Sequence, residues 1–211
     1  RLAQPFRFIA HNGEINTIQG NLNWLKTAEA DFVTPYFSKE EMEMLLPIIP
    51  CVQSDSASLD NMIELLTFCG RSLPHVMMML IPEAWDKNDL MDPVRKAFYE
   101  FHASFMEPWD GPASISFTDG KLIGATLDRN GLRPSRYWIT KDDRVIMGSE
   151  TGVLPVAPEM IIEKGRLQPG KMFIVDLEEG RVVSDEELKE KICSQKPYAD
   201  WLKKYKISLE E

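Results

Sequence analysis

The chain has 211 residues, of which 44% are hydrophobic and 27% are charged, a composition typical of a folded globular protein. Its net charge of -9, with Lys and Arg scattered along the chain, argues against nucleic acid as a partner, because phosphates require a basic surface. No apolar run is long enough to span a membrane and no signal-peptide pattern opens the chain, so we expect no membrane partner either.

The three cysteines, Cys51, Cys69 and Cys193, are odd in number and show no C-x-x-C spacing. This pattern indicates reduced thiols in a cytoplasmic protein. The cysteines and the three histidines lie far apart without a ligand pattern, so we expect no metal site. For Cys51 and Cys69 a structural thiol is favoured over a nucleophile, because neither a base nor a setting that lowers the pKa is evident beside them.

The first predicted element is a short apolar strand over residues 6–10, which runs into His11, Asn12 and Gly13 before a helical pattern begins at Glu14. Asn-Gly is the commonest turn dipeptide, and the residues alone favour a turn here. The alternative is functional, since an Asn side-chain amide and a Gly backbone N–H at a strand end can form the donor pair of an oxyanion hole.

From Glu14 to about residue 109 the apolar spacing is helical, and capping boxes, Gly and Pro mark where helices start and stop. We predict helices after the Ser38/Glu41 capping box, over 59–66 with a stop at Gly70, over 75–81 before Pro82, and from Asp92-Pro93 onward. On the last of these we expect five buried side chains, Val94, Ala97, Phe98, Phe101 and Phe105.

Asp55 lies in the segment SDSAS, just before the stripe over 59–66. Helix N-capping is the favoured interpretation, because Asp is among the best capping residues. A carboxylate held at such a junction can also bind a substrate ammonium group, and the two roles stay open. His75 and His102 lie on helices rich in Met and Phe, and we expect them to be packing or capping residues rather than catalysts.

From Gly111 onward the pattern changes to strands. Three hairpins are predicted, over 113–127, 136–147 and 171–183, with turns at 119–120, 141–143 and 178–180. A last helix begins at the Ser184/Glu187 capping box, and the tail from Gln195 reads as polar with a lone Trp201. Residues 128–134 form a glycine turn and no phosphate-binding loop is present. These elements predict one antiparallel α+β layered domain, or part of one.

Several blocks of the chain resemble a single family and occur in the family's order. They are RLAQPFRFIAHNGEINTIQGNLNWL, QSDSASLDN, EPWDGPASISFTDGKLIGATLDRNGLRPSRYW, GSETGVLP and LQPGKMFIVD. Over residues 1–201 the chain is similar to the glutaminase domain of the glutamate synthase large subunit. The pattern D-x-x-G-x-R-P followed by S-E-T is shared more loosely with other class II glutamine amidotransferases.

The resemblance implies an N-terminal nucleophile hydrolase-type αββα sandwich. It implies that Asn12, through its side-chain amide, and Gly13, through its backbone N–H, form an oxyanion hole for hydrolysis of the glutamine amide. Asp55 falls where the family binds the α-ammonium group of glutamine. Removal of one oxyanion-hole donor typically costs roughly 3–4 kcal/mol of transition-state stabilisation.

The family's nucleophile is a cysteine at the mature N-terminus, and the arginine that binds the glutamine carboxylate lies in an R-[YF]-S-T-N-T motif. Neither is found here, so we expect residues 1–211 to be the C-terminal portion of the glutaminase domain and to be inactive alone. The parent enzyme would pass ammonia to 2-oxoglutarate, using FMN and an iron–sulfur cluster held elsewhere. Its partners would be the remainder of the synthase chain and a small electron-donating subunit or ferredoxin; the residues do not distinguish NADPH from ferredoxin.

The residues leave two alternatives open. The chain could be a non-catalytic binding or structural domain derived from an amidotransferase, in which Asn12 only turns the chain and Asp55 only caps a helix. It could also belong to a different class II amidotransferase.

Overall fold

A computed structural model describes residues 3–50 and 53–207. Over these ranges the helices are α1 Ile18–Ala28, α2 Lys39–Leu45, α3 Asp55–Phe68, α4 Leu73–Leu80, α5 Pro93–Ala103, α6 Asp185–Cys193 and α7 Tyr198–Tyr205. The strands are β1 Ile9–Gly13, β2 Ala113–Thr118, β3 Leu122–Leu127, β4 Arg136–Thr140, β5 Val145–Gly148, β6 Ile161–Arg166, β7 Met172–Asp176 and β8 Arg181–Val183. Cys51 lies outside the described residues.

Two antiparallel sheets organise the described chain. The larger has the strand order β1-β2-β3-β7-β8, and the smaller has the order β5-β4-β6. The three predicted hairpins are present, as β2–β3, β4–β5 and β7–β8. Strand β1 comes from the distant N-terminal part of the chain and pairs with β2 at one edge of the larger sheet.

The larger sheet has helices on one face and the smaller sheet on the other. Alternate residues of β2, such as Ile115 and Phe117, are buried in the main core together with residues of α3, α4 and α5. On the opposite face Ala125 and Leu127 of β3 belong to a second, smaller core. There the ring of Tyr137 from the smaller sheet lies 4.5 Å from that of Phe173. The order helix, sheet, sheet confirms the predicted α+β class with two antiparallel sheets.

The caps predicted from sequence are present. Ser38 and Glu41 form the reciprocal capping box of α2, the Asp92 side chain accepts a hydrogen bond from Arg95 N at the start of α5, and Ser184 caps α6. However, Val94 on α5 and Phe105, two residues beyond the end of α5, are 49% and 46% exposed, so the expectation that both are buried was wrong.

The predicted turn at Asn12-Gly13 is wrong, because the strand lies three residues further along than predicted. His11, Asn12 and Gly13 belong to β1 and pair with β2 as far as the Gly13–Ala113 pair. The backbone N–H groups of residues 15, 16 and 17 are then held by Asp55 and by the Asp110 carbonyl, so α1 begins only at Ile18.

Two elements were missed by the sequence analysis. Strand β6 has no clear apolar alternation, but it pairs with β4, where Gly165 leaves room for the Tyr137 ring. The tail predicted to be polar contains helix α7, in which Tyr198 is only 4% exposed. The ring of Tyr198 lies 5.1 Å from that of Phe101 on α5, and Trp201 packs 5.2 Å from the same ring.

Asp128 joins the start of β2 to the turn that follows β3. Its buried carboxylate accepts hydrogen bonds from the backbone N–H groups of Ala113 (3.0 Å), Asn130 (3.0 Å) and Leu132 (3.2 Å). The glycine turn over 128–134 is therefore a structural feature built around one carboxylate. None of the described helices has the length and hydrophobicity needed to cross a membrane.

Candidate functional site

A polar cleft of about 220 Å³ lies between the β1–β2 edge of the larger sheet and the smaller sheet. Because side chains alternate along a strand, Ala10 and Asn12 share one face of β1, and their cross-strand partners Ser116 and Ser114 lie beside them. The wall opposite is contributed by Ser135, Met147, Gly148 and Ser149. The cleft thus places an amide and several hydroxyl groups around a small space.

Asn12 lines this cleft, and its side-chain amide is unpaired. The residue is exposed, and its side chain makes no hydrogen bond with any residue in the described ranges. The two donors of the amide nitrogen are therefore available to a ligand.

The backbone conformation and surroundings of residue 13 permit only glycine at this position. Its φ is +155°, and a Cβ added there would lie 1.9 Å from the Pro112 carbonyl oxygen. Hydrogen bonds continue the β1–β2 ladder at the pairs Phe8–Thr118 and Glu14–Pro112. Because hydrogen-bonded residues alternate along an antiparallel strand, the backbone N–H groups of the even-numbered residues of β1 face β2. The N–H of Gly13 therefore points away from β2, to the open edge of the sheet. Within 3–50 and 53–207 nothing accepts a hydrogen bond from it.

The same edge of β1 is otherwise paired with side chains. The N–H of His11 donates to Gln4 Oε1 at 2.5 Å, and the N–H of Ile15 donates to Asp55 Oδ2 at 2.8 Å. Gly13 N–H is the free donor between them, next to the free amide of Asn12. Two adjacent residues thus present unpaired donors, which is the arrangement that an oxyanion hole requires, and the role that the resemblance implies for them stays a prediction.

Asp55 does not cap a helix, which corrects the favoured interpretation of this residue. Ser54 is the N-cap of α3, and its Oγ accepts the Ala57 N–H at 3.2 Å. Asp55 is the first residue of the helix, and its side chain is 20% exposed. Its Oδ2 accepts the Ile15 N–H and its Oδ1 accepts the Ser56 hydroxyl, which leaves one lone pair on each carboxylate oxygen for a ligand.

His11 and Ser56 were not identified as site residues from the sequence. The His11 side chain is fully buried, with Nδ1 2.8 Å from Ser56 Oγ and 3.9 Å from Asp55 Oδ2. Ser56 Oγ in turn lies 3.3 Å from Asp55 Oδ1. Burial lowers the pKa of His11, the positive charge of Arg133 lowers it further, and Asp55 opposes both.

Asp60, one turn further along α3, secures the beginning of β1. Its carboxylate accepts the backbone N–H groups of Phe8 (2.9 Å), Ile9 (3.1 Å) and Arg7 (3.1 Å). Ser56 and Asp60 are polar residues four apart on α3, and this spacing is the sequence signal that places both side chains on one face of the helix.

The described cysteines and the other histidines lie outside the cleft. Cys193 is 2% exposed, and burial raises the pKa of its thiol to about 12. Cys69 borders a separate apolar groove. His75 and His102 form a buried pair, with their Nε2 atoms 3.0 Å apart, in agreement with the packing role expected of them.

A larger cleft of about 650 Å³ opens between the loop over 81–88 and the segment around Trp109. None of Asn12, Gly13 and Asp55 lines it, whereas Asn12 lines the smaller cleft. The buried carboxylate of the larger cleft, Asp128, is already occupied by backbone N–H groups. We therefore place the candidate site at the smaller cleft.

Comparison with known families decides what class of protein carries this cleft. The family model described as "Glutamine amidotransferases class-II" matches residues 1–201. The chain belongs to the class II glutamine amidotransferases. Among the relatives of this amidotransferase chain, the glutamate synthase [NADPH] large chain of Bacillus subtilis is 54% identical over 200 residues, which cover 95% of this chain and 13% of the relative.

Two further relatives of this class II amidotransferase are glutamate synthases as well. The glutamate synthase [NADH] of Saccharomyces cerevisiae is 51% identical over 203 residues, 96% of this chain and 9% of the relative. The ferredoxin-dependent glutamate synthase 2 of a Synechocystis species is 45% identical over 204 residues, 96% of this chain and 13% of the relative. The amidotransferase chain thus spans only a small part of the length of these relatives.

A solved structure of the glutamine phosphoribosylpyrophosphate amidotransferase of B. subtilis superposes with a TM-score of 0.43 at 18% identity, covering 87% of this chain and 30% of that one.

Proposed function

We propose that this chain forms part of the glutaminase domain of a glutamate synthase, which releases ammonia from the side chain of glutamine. Membership of the class II amidotransferases and 54% identity to a glutamate synthase large chain support this assignment over the two alternatives left open by the sequence. The observation that carries the proposal is the pair of free donors at Asn12, which lines the polar cleft, and at the adjacent Gly13.

The proposed chemistry needs these donors at one step. A cysteine thiolate attacks the carboxamide carbon of glutamine, and the carbonyl oxygen becomes an oxyanion. The amide of Asn12 and the N–H of Gly13 stabilise that charge more strongly than they stabilise the neutral substrate oxygen. The intermediate collapses as the nitrogen takes up the proton that the α-amino base removed from the thiol, and the nitrogen leaves as ammonia. Water, deprotonated by the same amine, then attacks the thioester carbon, and the C–S bond breaks to give glutamate and the thiolate.

Asp55 has the proposed role of binding the α-ammonium group of glutamine. The carboxylate is partly exposed, and it is fixed in position because Oδ2 accepts the Ile15 N–H. A fixed, partly desolvated carboxylate forms a strong charge-assisted hydrogen bond with an ammonium group. This proposal treats Asp55 as a specificity group for amino acids rather than as a proton donor.

The nucleophile is proposed to come from outside this chain. Of the two cysteines in the described ranges, Cys193 is buried with a raised thiol pKa and Cys69 borders a different groove, so neither suits attack at the cleft. Cys51, which lies outside those ranges, is not at an N-terminus. The resemblance implies a cysteine at a mature N-terminus with its own α-amino group as the base. We accordingly expect the 211-residue chain alone to release no ammonia from glutamine.

The cofactors and partners follow from the same proposal. FMN and an iron–sulfur cluster would be held by other parts of the synthase, where ammonia would meet 2-oxoglutarate. Relatives named for NADPH, NADH and ferredoxin match this chain at 54%, 51% and 45% identity. Because enzymes with different electron donors share this region, we propose that other parts or subunits of the enzyme determine which donor is used. A cytoplasmic location is proposed from the unpaired cysteines.

The test is Asn12→Ala in the full-length enzyme, with Asn16→Ala as the matched control. Asn16 is also exposed, but it does not line the cleft. We expect Asn12→Ala to lower kcat for glutamine hydrolysis by roughly 10²–10³-fold with a much smaller change in KM, because the donor acts on the developing oxyanion. Glutamate formation from added ammonia should survive. A change confined to KM, or equal losses in both variants, would contradict the oxyanion-hole role.

A further inference from the structure

We infer that His11 is a positioning residue, which acts through the Ser56 hydroxyl to orient the Asp55 carboxylate for the ammonium group of glutamine. The inference rests on the proposed function and deepens it. It concerns two side chains, His11 and Ser56, that sequence reasoning did not connect with the site.

The contacts form a continuous chain from the buried ring of His11 to the partly exposed carboxylate of Asp55. His11 Nδ1 lies 2.8 Å from Ser56 Oγ, which lies 3.3 Å from Asp55 Oδ1. The other carboxylate oxygen, Oδ2, accepts the Ile15 N–H at 2.8 Å. Each oxygen of Asp55 is thus held by one donor, so the plane of the carboxylate is fixed at both ends.

The direction of these hydrogen bonds follows from the donors available. A serine hydroxyl has one hydrogen, which Ser56 donates to the Asp55 carboxylate. In its contact with His11, Ser56 Oγ is therefore the acceptor, and His11 Nδ1 carries the hydrogen. His11 Nε2 is then an acceptor. It is buried and has no partner in the described parts of the chain, and an unpaired buried lone pair is tolerated more readily than an unpaired buried N–H. The unpaired atom therefore favours the same tautomer as the Ser56–Asp55 contact.

A neutral imidazole is what this position requires. A charged His11 would stand 3.9 Å from Asp55 Oδ2 and would compete with the substrate ammonium for the same carboxylate. Burial and the charge of Arg133 both lower the His11 pKa, which keeps the ring neutral near pH 7. The neutral ring orients Asp55 while leaving its negative charge available to glutamine.

The experiment compares four variants of the full-length enzyme. Ser56→Ala removes the middle of the chain of contacts, and His11→Leu removes its inner end. His11→Asn is the rescue variant, because its amide nitrogen can take the place of Nδ1 and donate to Ser56. Ser58→Ala is the matched control, since Ser58 is buried on the same helix but donates to the Ser54 carbonyl instead.

We expect Ser56→Ala and His11→Leu to raise KM for glutamine by ~10-fold, the change expected when a hydrogen bond to a charged group is lost, with kcat within ~3-fold of the wild type. His11→Asn should recover most of the loss, and Ser58→Ala should leave KM unchanged. Thermal melting of each variant separates folding defects from the KM effect. If His11→Leu does not fold, Ser56→Ala against Ser58→Ala decides the matter.

Unchanged KM in Ser56→Ala, or an equal rise in Ser58→Ala, would overturn the positioning role. A fall in kcat with KM unchanged would also overturn it, because Asp55 would then not be the group affected. Asn12→Ala, measured in parallel, distinguishes failure of the proposed function from failure of the positioning role. If it leaves glutamine hydrolysis intact the proposed function fails, whereas if it abolishes hydrolysis while Ser56→Ala is silent only the present inference fails.

Discussion

The buried pair His75–His102 makes the stability of this protein depend on pH in a definite direction. Burial lowers the pKa of His75 to about 3 and that of His102 to about 4. His102 Nδ1 donates to the Phe98 carbonyl at 2.7 Å, so its Nε2 accepts from His75 Nε2 at 3.0 Å, and both rings are neutral. The nearby charge of Arg71 adds to the lowering of both pKa values.

The sign follows from proton binding. Both folded-state pKa values lie below the unfolded value, so between them and about pH 6.5 the unfolded chain binds more protons than the folded one. The contribution to the free energy of unfolding is therefore complete above that pH and is lost as the pH falls toward 4. At pH 5 the loss is about 2 kcal/mol for each histidine, or about 4 kcal/mol for the pair, a large part of a typical total of ~5–15 kcal/mol.

The assay is chemical denaturation of the wild type and of the double variant His75→Gln/His102→Gln at pH 7 and pH 5. Glutamine keeps a donor and an acceptor at each position but does not titrate. His11 and the carboxylates titrate in both proteins, so the difference between the two pH dependences isolates the pair. We expect the wild type to lose about 4 kcal/mol more than the variant between the two pH values. Equal losses would refute the assignment of two buried neutral imidazoles.

Three further predictions follow from other parts of the structure. Asp55→Asn in the full-length enzyme should raise KM for glutamine strongly, because the negative charge that binds the ammonium group is lost. The melting temperature should stay nearly unchanged, because the Asn oxygen can still accept the Ile15 N–H. Unchanged kinetics would remove Asp55 from the substrate site. Lys189→Met should lower the free energy of unfolding by ~3 kcal/mol, the lower end of the range for a broken buried ion pair. Lys189 is 1% exposed and lies 2.9 Å from Glu83 and 3.1 Å from Asp185, whose remaining cations, Arg95 and Lys171, lie 4.0 and 3.3 Å away. Lys121→Met on the surface is the control, and similar costs in the two variants would contradict the reasoning. The purified 211-residue chain should release no ammonia from glutamine, and turnover in a contaminant-free sample would show that the nucleophile lies within it.

The sequence by itself determined the elements whose signals are local. The Ser38/Glu41 capping box and the Asp119-Gly120 hairpin turn act over two to four residues, and both occur where the residues predict them. The resemblance of several sequence blocks, HNGEIN among them, likewise identified the family, and the family match over residues 1–201 together with 54% identity to a glutamate synthase large chain confirms it. The roles of Asn12, Gly13 and Asp55 are still predictions, although the geometry leaves all three with free hydrogen-bonding capacity.

Only the tertiary structure decided the features that depend on partners far away in sequence. Asn12 and Gly13 lie in a strand rather than a turn because β2, about 100 residues later, pairs with them. Asp55 holds the Ile15 N–H, 40 residues away, while its neighbour Ser54 caps the helix. Helix α7 exists because Tyr198 can bury its ring against α5. In each case local propensity permitted more than one conformation, and a long-range hydrogen bond or a buried ring selected one of them.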